Sequence, residues 1–251
     1  MIAVDIGNTN IHFARIKNDK IIKSSFISTS KINKDNLKEV LRPYRKDKIL
    51  VCSVVPAVTK LFKELKKTYA EKIYIVGQDL IVPIKSQYDK NNIGMDRLVC
   101  AFASKTINSA ARLVIDFGTA ITFDFISAEG EYQGGFILPG IGSTLRVLSS
   151  CALLPKKISF KKSRKKIEGE KKIQIPKDTK SSIKQGIEDG FSAMVNSLVK
   201  KYSQDLNFGA EDKIFTTGGD FYVIKHYLTF KYIFDSSLVM KGLIFLNKKC
   251  L

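Results

Sequence analysis

Tryptophan is absent from this 251-residue chain, and histidine occurs twice, at His12 and His226. Two histidines so far apart exclude a His-rich metal centre. The four cysteines, Cys52, Cys100, Cys151 and Cys250, include no C-x-x-C pair. That spacing argues against a zinc cluster or a disulfide framework, and the cysteines read as small apolar residues. No run is apolar enough to span a bilayer. The longest uncharged stretch is the 14 residues between Glu131 and Arg146, broken by Gly134, Gly135, Pro139, Gly140 and Gly142. A basic leader is lacking too, because Met1 runs straight into Ile2-Ala3-Val4-Asp5. A cytoplasmic protein with no membrane partner is therefore expected.

Arginine is also scarce: lysine supplies 35 of the 42 basic residues and arginine only 7. Bidentate reading of nucleic acid relies on arginine, and no helix-turn-helix or zinc signature accompanies the basic charge. Nucleic acid is not the expected partner. What is present is ordinary for a globular protein, with 44% hydrophobic and 26% charged residues. The net charge of +18 is partly local. Residues 156–177 hold ten basic and two acidic side chains, a net of +8. This segment reads as a solvated basic loop, with attraction of polyanionic ATP or nonspecific nucleic-acid binding as the functional alternatives.

Hydrophobic patterning places short strands at 2–4, 10–16 and 21–27, the last two joined by a turn at Asn18-Asp19. A helix over 33–44, a buried strand at 49–52 and a helix opened by Pro56 and running to about Tyr69 follow. A strand at 73–77 and a helix over 96–109 complete the first half. The second half repeats the order: strands at 113–116, 121–126 and 131–138, helices near 141–151 and 179–203, and a strand at 214–217. A further helix, a strand at 232–234 and a last helix near 237–249 end the copy. Alternating strands and helices predict an α/β fold. Repetition of the whole unit predicts two similar domains facing a cleft, 1–110 and 111–251.

Two motifs stand at equivalent points of the repeat. Asp5-Ile6-Gly7-Asn8-Thr9-Asn10 and Asp116-Phe117-Gly118-Thr119-Ala120 each follow a short apolar strand and open a tight turn. Glycine lets the backbone approach a ligand, and the turn N–H groups, the Thr9 and Thr119 hydroxyls and Asn8 can hold phosphate oxygens. The aspartates suit a hard cation, directly or through water, with Asp5 a candidate for magnesium. One such Asp-Gly turn is unremarkable; two at matching positions point to a ligand. Gly94-Met95-Asp96-Arg97 opens a helix. Asp96 there can orient or deprotonate an acceptor hydroxyl and Arg97 can hold a polar substrate group. The bland alternative is a carboxylate stabilised by the helix dipole, which lowers its pKa. Tyr132 to Gly140 and Thr216-Thr217-Gly218-Gly219-Asp220 carry small residues before helices, as phosphate-facing or plain turns.

The ordered set is specific. DIGNTN at 5–10, GMDR at 94–97, DFGTAITFD at 116–124, GGFILPG at 134–140, Thr179 followed by IKQGIEDG at 183–190, and TTGGD at 216–220 resemble the type III pantothenate kinases, nearly end to end. That family lies within the superfamily of actin, heat-shock ATPases and sugar kinases. The resemblance implies a duplicated ribonuclease H-like (actin-like ATPase) fold with mixed sheets around a central cleft. It implies ATP-dependent phosphorylation of pantothenate to 4'-phosphopantothenate, the first step of coenzyme A biosynthesis. Asp5, Ile6, Gly7, Asn8, Thr9, Asn10, Ile11 and His12 become the phosphate loop for ATP, and Thr119 a further ATP contact. Asp96 becomes the catalytic base, with Gly94, Met95 and Arg97 lining the pantothenate pocket. Tyr88 and Thr179 become pantothenate contacts, and Asp116 the ligand of a monovalent cation, potassium or ammonium, required beside Mg-ATP. Thr179 lies at a dimer interface in the family, so a homodimer is implied. The competing readings are a nucleic-acid-associated regulator of the same fold, a sugar kinase and a polymerising actin-like scaffold.

Overall fold

The computed structural model describes residues 1–69, 72–89, 92–151, 154–155, 158–160 and 175–251. Most of the basic segment 156–177, residues 156, 157 and 161–174, lies outside the described residues.

The first sheet is built around β1 (Ile2–Ile6), whose Ile2, Ala3, Val4 and Ile6 are all buried. A strand apolar at nearly every position packs on both faces, which is why it sits centrally. β2 (Asn10–Lys17) pairs antiparallel with it, and β3 (Lys20–Ser28) with β2. The β2–β3 turn puts Asn18 and Asp19 at φ 48° and 59°. These two residue types tolerate the left-handed region a tight hairpin demands. α1 (Lys34–Leu41) starts at Asn33, whose side chain accepts from the Asp35 and Asn36 N–H groups while Asn36 returns a bond to Asn33. The helix stops three residues short of the expected Tyr44, and Arg42–Tyr44 form a 3-10 turn. Pro43 has no N–H to give to the carbonyl four residues back.

β4 (Ile49–Ser53) pairs parallel with β1, Ile2 opposite Ile49 and Asp5 opposite Cys52. α2 (Pro56–Leu65) opens on its proline as expected, and the following Lys67–Tyr69 are 3-10. β5 (Ile73–Ile75) adds parallel to β4, and α3 (Met95–Ile107) follows. The second half then gives β6 (Ala111–Phe117), β7 (Ala120–Ile126), β8 (Tyr132–Pro139), α4 (Ile141–Ser150) and α5 (Thr179–Asp205). β9 (Lys213–Thr217), the short α6 (Phe221–Ile224), β10 (Ile233–Phe234) and α7 (Leu238–Cys250) complete it.

The sheet orders are β3-β2-β1-β4-β5 and, read from the other edge, β8-β7-β6-β9-β10. One five-stranded pattern is therefore used twice, and the duplication read from the sequence is present in the topology. Two compact units result. The first comprises Met1–Ala111, Asp124–Gly134 and Ser237–Leu251, the second Arg112–Phe123 and Gly135–Ser236. In the first, Val4, Ile6, Ile11, Leu37, Val51 and Phe62 form part of a continuous buried core. α7 lies on α3 so closely that a Cβ on Gly242 would fall 2.4 Å from Val99 Cγ1. In the second, Phe123 stacks on Phe136 at 4.8 Å, and Phe136 meets Tyr202 at 5.0 Å. Cys52 and Cys100 are buried as expected, whereas Cys151 and Cys250 are exposed. Among the described residues, no helix is long and apolar enough to cross a membrane.

Candidate active site

In the first unit the expected phosphate loop is the turn between β1 and β2. The Gly7 N–H donates to the Asn10 carbonyl at 3.0 Å. Thr29 pins the turn from outside: its hydroxyl donates to the Gly7 carbonyl at 2.7 Å and its N–H to the Thr9 carbonyl at 3.0 Å. Asn8, Thr9 and Asn10 are exposed at the tip. Ile6 and Ile11, which flank it, are wholly buried, so their side chains anchor the loop in the core. His12 lies 3.1 Å (Nε2) from Ser24 Oγ and stacks on Phe26 at 4.1 Å. Burial lowers its pKa and favours the neutral ring.

Asp5 and Asp96 face each other electrostatically from the end of β1 and the first turn of α3. Burial, then the charge of Asp96, pushes the Asp5 carboxyl up to about 7. Asp96 accepts from the Arg97 N–H at 2.8 Å. A helix N-terminus with such a bond should lower its pKa, yet the structure raises it. Desolvation is the largest contribution and outweighs that hydrogen bond; Asp124 adds to the rise and the Arg97 charge opposes it. The result is a carboxylate more basic than its place on the helix suggests. Gly94 makes room for it, because a Cβ there would fall 2.6 Å from Asp96 Oδ1. Met95 packs its thioether over Gly77.

Arg97 pairs with Asp124. Its Nε donates to Asp124 Oδ1 at 2.7 Å, and the Tyr132 hydroxyl donates to the same oxygen at 2.7 Å. Asp124 is 1% exposed and Arg97 9%. The Arg97 Nη2 is buried without a partner, a state that costs about 1–3 kcal/mol or more for a charged group. Tyr88 is close by: a Cβ on Gly134, at φ +101°, would fall 3.3 Å from Tyr88 Cδ2. Tyr88 and Arg97 are thus gathered around Tyr132 and Asp124. Asp124 does not emerge as a site residue from spacing alone, and Tyr132 does so only as the first residue of the Tyr132–Gly140 stretch. The available signal was an acidic residue inside the apolar run of β7, which needs a buried cation as partner.

In the second unit three motifs are laced together. Gly118 N–H donates to the Ala120 carbonyl at 3.1 Å, closing the Asp116–Ala120 turn. The Thr119 carbonyl accepts from the Gly140 N–H at 3.1 Å and the Ser143 hydroxyl at 2.6 Å. A Cβ on Gly140 would fall 2.2 Å from the Gly118 carbonyl oxygen, so no other residue fits. Asp220 donates its N–H to the Phe117 carbonyl at 2.9 Å and accepts from the Gly142 N–H at 3.0 Å. Gly218, at φ +96°, leaves the space that Asp116 Oδ1 occupies, 2.4 Å from where a Cβ would stand. Thr179 is exposed in the first turn of α5, whose cap Asp178 accepts from the Ser181 N–H at 2.9 Å.

The sequence profile of the family described as type III pantothenate kinase matches residues 1–201. The chain belongs to this family. A type III pantothenate kinase from Sulfurihydrogenibium sp. is 36% identical over 261 residues, covering 99% of this chain and 99% of its own length. One from Persephonella marina is 33% identical, covering 97% and 96%. Among solved structures, one described as a Baf family transcriptional activator from Campylobacter jejuni superposes with a TM-score of 0.62 at 21% identity, over 99% and 98% of the two chains. The activator of the 2-hydroxyisocaproyl-CoA dehydratase from Clostridium difficile, with bound ADPNP, gives 0.53 at 15% identity, over 97% and 92%. These likenesses show the fold, and it is the duplicated actin-like ATPase fold expected for a type III pantothenate kinase.

Proposed function

We propose that this type III pantothenate kinase transfers the γ-phosphoryl group of ATP to the primary hydroxyl of pantothenate, with Asp96 acting on that hydroxyl. The observation that carries the assignment of Asp96 is its raised basicity at the start of α3. A general base must be basic enough to accept a proton, and desolvation moves a carboxyl in that direction. The loose transition state of phosphoryl transfer asks mainly for positioning, so Asp96 aligns the acceptor oxygen as well as receiving its proton. Arg97, with one nitrogen unpaired, and Tyr88 hold the polar groups of pantothenate. The turn N–H groups, the Asn8 side-chain amide and the Thr9 hydroxyl hold phosphate oxygens, and Thr119 contributes a second nucleotide contact.

Asp5 fits a magnesium ion. Its carboxyl is pushed up to about 7 by burial and by the like charge of Asp96, and a cation, directly or through water, reverses both effects. Asp116, with its carboxylate against Gly218, offers the hard oxygen donor that potassium or ammonium takes. Bound magnesium supplies charge neutralisation on the phosphates, and the monovalent ion a second fixed positive charge. Thr179 reaches the substrate of a second copy in a homodimer, and the enzyme works in the cytoplasm.

The test is ADP release from Mg-ATP with pantothenate, in potassium and then in sodium. Turnover that needs both pantothenate and potassium supports the substrate and the Asp116 ion. Turnover in either salt keeps the kinase and removes the cation. Release of ADP that ignores pantothenate in every salt refutes the reading, and a hexose or DNA is then the ligand to try.

A further inference from the structure

We propose that Thr29 and Ser143 are positioning residues for the nucleotide, each anchoring the carbonyls of one phosphate turn so that the turn presents N–H groups to phosphate. The inference rests on the kinase reading for the identity of the nucleotide, Mg-ATP.

A backbone turn holds an anion when its N–H groups face it and its carbonyls face away. In a planar trans peptide the carbonyl and the N–H that follows it point in opposite directions. Anchoring a carbonyl therefore sets the heading of the next N–H. In the first unit Thr29 does this twice. Its hydroxyl donates to the Gly7 carbonyl at 2.7 Å and its N–H to the Thr9 carbonyl at 3.0 Å. The N–H groups of Asn8 and Asn10 are thereby held on the side away from each anchored oxygen. The tip they belong to, Asn8 to Asn10, is exposed, so a phosphate can reach it.

The second unit repeats the device with different residues. The Thr119 carbonyl accepts from the Gly140 N–H at 3.1 Å and from the Ser143 hydroxyl at 2.6 Å, and Thr119 is exposed. The anchors stand at matching places in the duplicated topology. Thr29 is the first residue after β3 and Gly140 the first after β8, each an edge strand of its sheet. Thr29 gives both its N–H and its hydroxyl. Gly140 gives only its N–H, because a Cβ there would collide with the Gly118 and Thr119 carbonyl oxygens. The hydroxyl comes instead from Ser143, in the first turn of α4. Arg146 Nη2 donates to Ser143 Oγ at 2.8 Å, which leaves the single Ser143 proton for the Thr119 carbonyl. An N–H and a hydroxyl on the carbonyls of a phosphate turn are thus reached by two routes, once in each half.

The test is calorimetric titration of Mg-ATP, and separately of pantothenate, into the wild type, Thr29→Val, Thr29→Ser and Ser143→Ala. Thr29→Val keeps the branched shape and the N–H and removes only the hydroxyl. Thr29→Val and Ser143→Ala should each raise the Kd for Mg-ATP about fivefold, the worth of one such hydrogen bond. Both should leave the Kd for pantothenate within twofold. Thr29→Ser restores the hydroxyl and should return the Kd for Mg-ATP to within twofold of the wild type. An unchanged Kd for Mg-ATP in either variant, an equal weakening of pantothenate, or no rescue by Thr29→Ser overturns the proposal. A wild type that binds Mg-ATP but releases no ADP with pantothenate refutes the kinase reading alone, and the Mg-ATP titrations still decide the anchors. A wild type that does not bind Mg-ATP overturns both.

Discussion

Asp5 and Asp96 are two carboxylates held close in one unit, one at the end of β1 and one in the first turn of α3, and the charge of Asp96 helps push the Asp5 carboxyl up to about 7. Without a cation the pair is unfavourable to the fold. In the folded state Asp5 keeps its proton at a pH where the unfolded chain has lost it. Stability from this group is therefore largest below about pH 4 and falls as pH rises towards 7. Asp5→Asn removes that decline. In EDTA, the variant should be more stable than the wild type at pH 8 by on the order of 2 kcal/mol and nearly equal to it at pH 4. Thermal unfolding at the two pH values measures the difference. A wild type as stable as Asp5→Asn at pH 8 would contradict the elevated carboxyl. Kinase activity should be lost in the same variant.

Asp96→Asn keeps the shape of the side chain and removes its basicity. If Asp96 receives the hydroxyl proton, kcat should fall by roughly 10²–10⁴ while the KM for pantothenate stays within a few-fold. Steady-state kinetics separate this from pure positioning, which would show as a modest fall in kcat.

Gly140 and Gly186 make opposite predictions. A Cβ on Gly140 meets backbone oxygen at 2.2 Å, and backbone cannot step aside cheaply. Gly140→Ala should destabilise by about 2–3 kcal/mol or displace the Thr119 loop, with a matching loss of ATP affinity. Around Gly186, exposed inside α5, nothing lies within 4 Å. Gly186→Ala should stabilise by about 1 kcal/mol through helix propensity alone. Denaturant unfolding of the two variants checks both signs.

Salt should act on the buried and the exposed ion pair differently. The Arg97–Asp124 pair is buried, whereas Lys34–Glu64 bridges exposed side chains at 2.7 Å. Raising ionic strength should abolish the small destabilisation caused by Glu64→Gln and leave the larger one caused by Asp124→Asn nearly unchanged. Thermal unfolding of the two variants at low and high salt provides the check.

Local features were readable in the sequence because they depend on neighbours in the chain. The apolar run of β1 ending in Asp5, the Asn18-Asp19 turn and the proline at the head of α2 all fold as their chemistry dictates. The repeat was readable for the same reason, since each half carries its own apolar strand and Asp-Gly turn. Long-range features were not. The dipole argument at Asp96 gave the wrong sign because burial, a property of the packed fold, outweighs the local hydrogen bond. Asp124 is 27 residues from Arg97, and no periodicity links a strand residue to a helix residue across that gap. Asp220 reaches Gly142 across 78 residues for the same reason unseen.

The return of α7 to the first unit bears on synthesis. The helix face of α3 around Val99 and Ala103, with Gly242 opposite, is completed only when residues 238–250 have been made. A ribosome therefore delivers the whole second unit before the first can close its core. Until then the nascent amino-terminal half carries an open apolar seam, and its final folding must wait on α7.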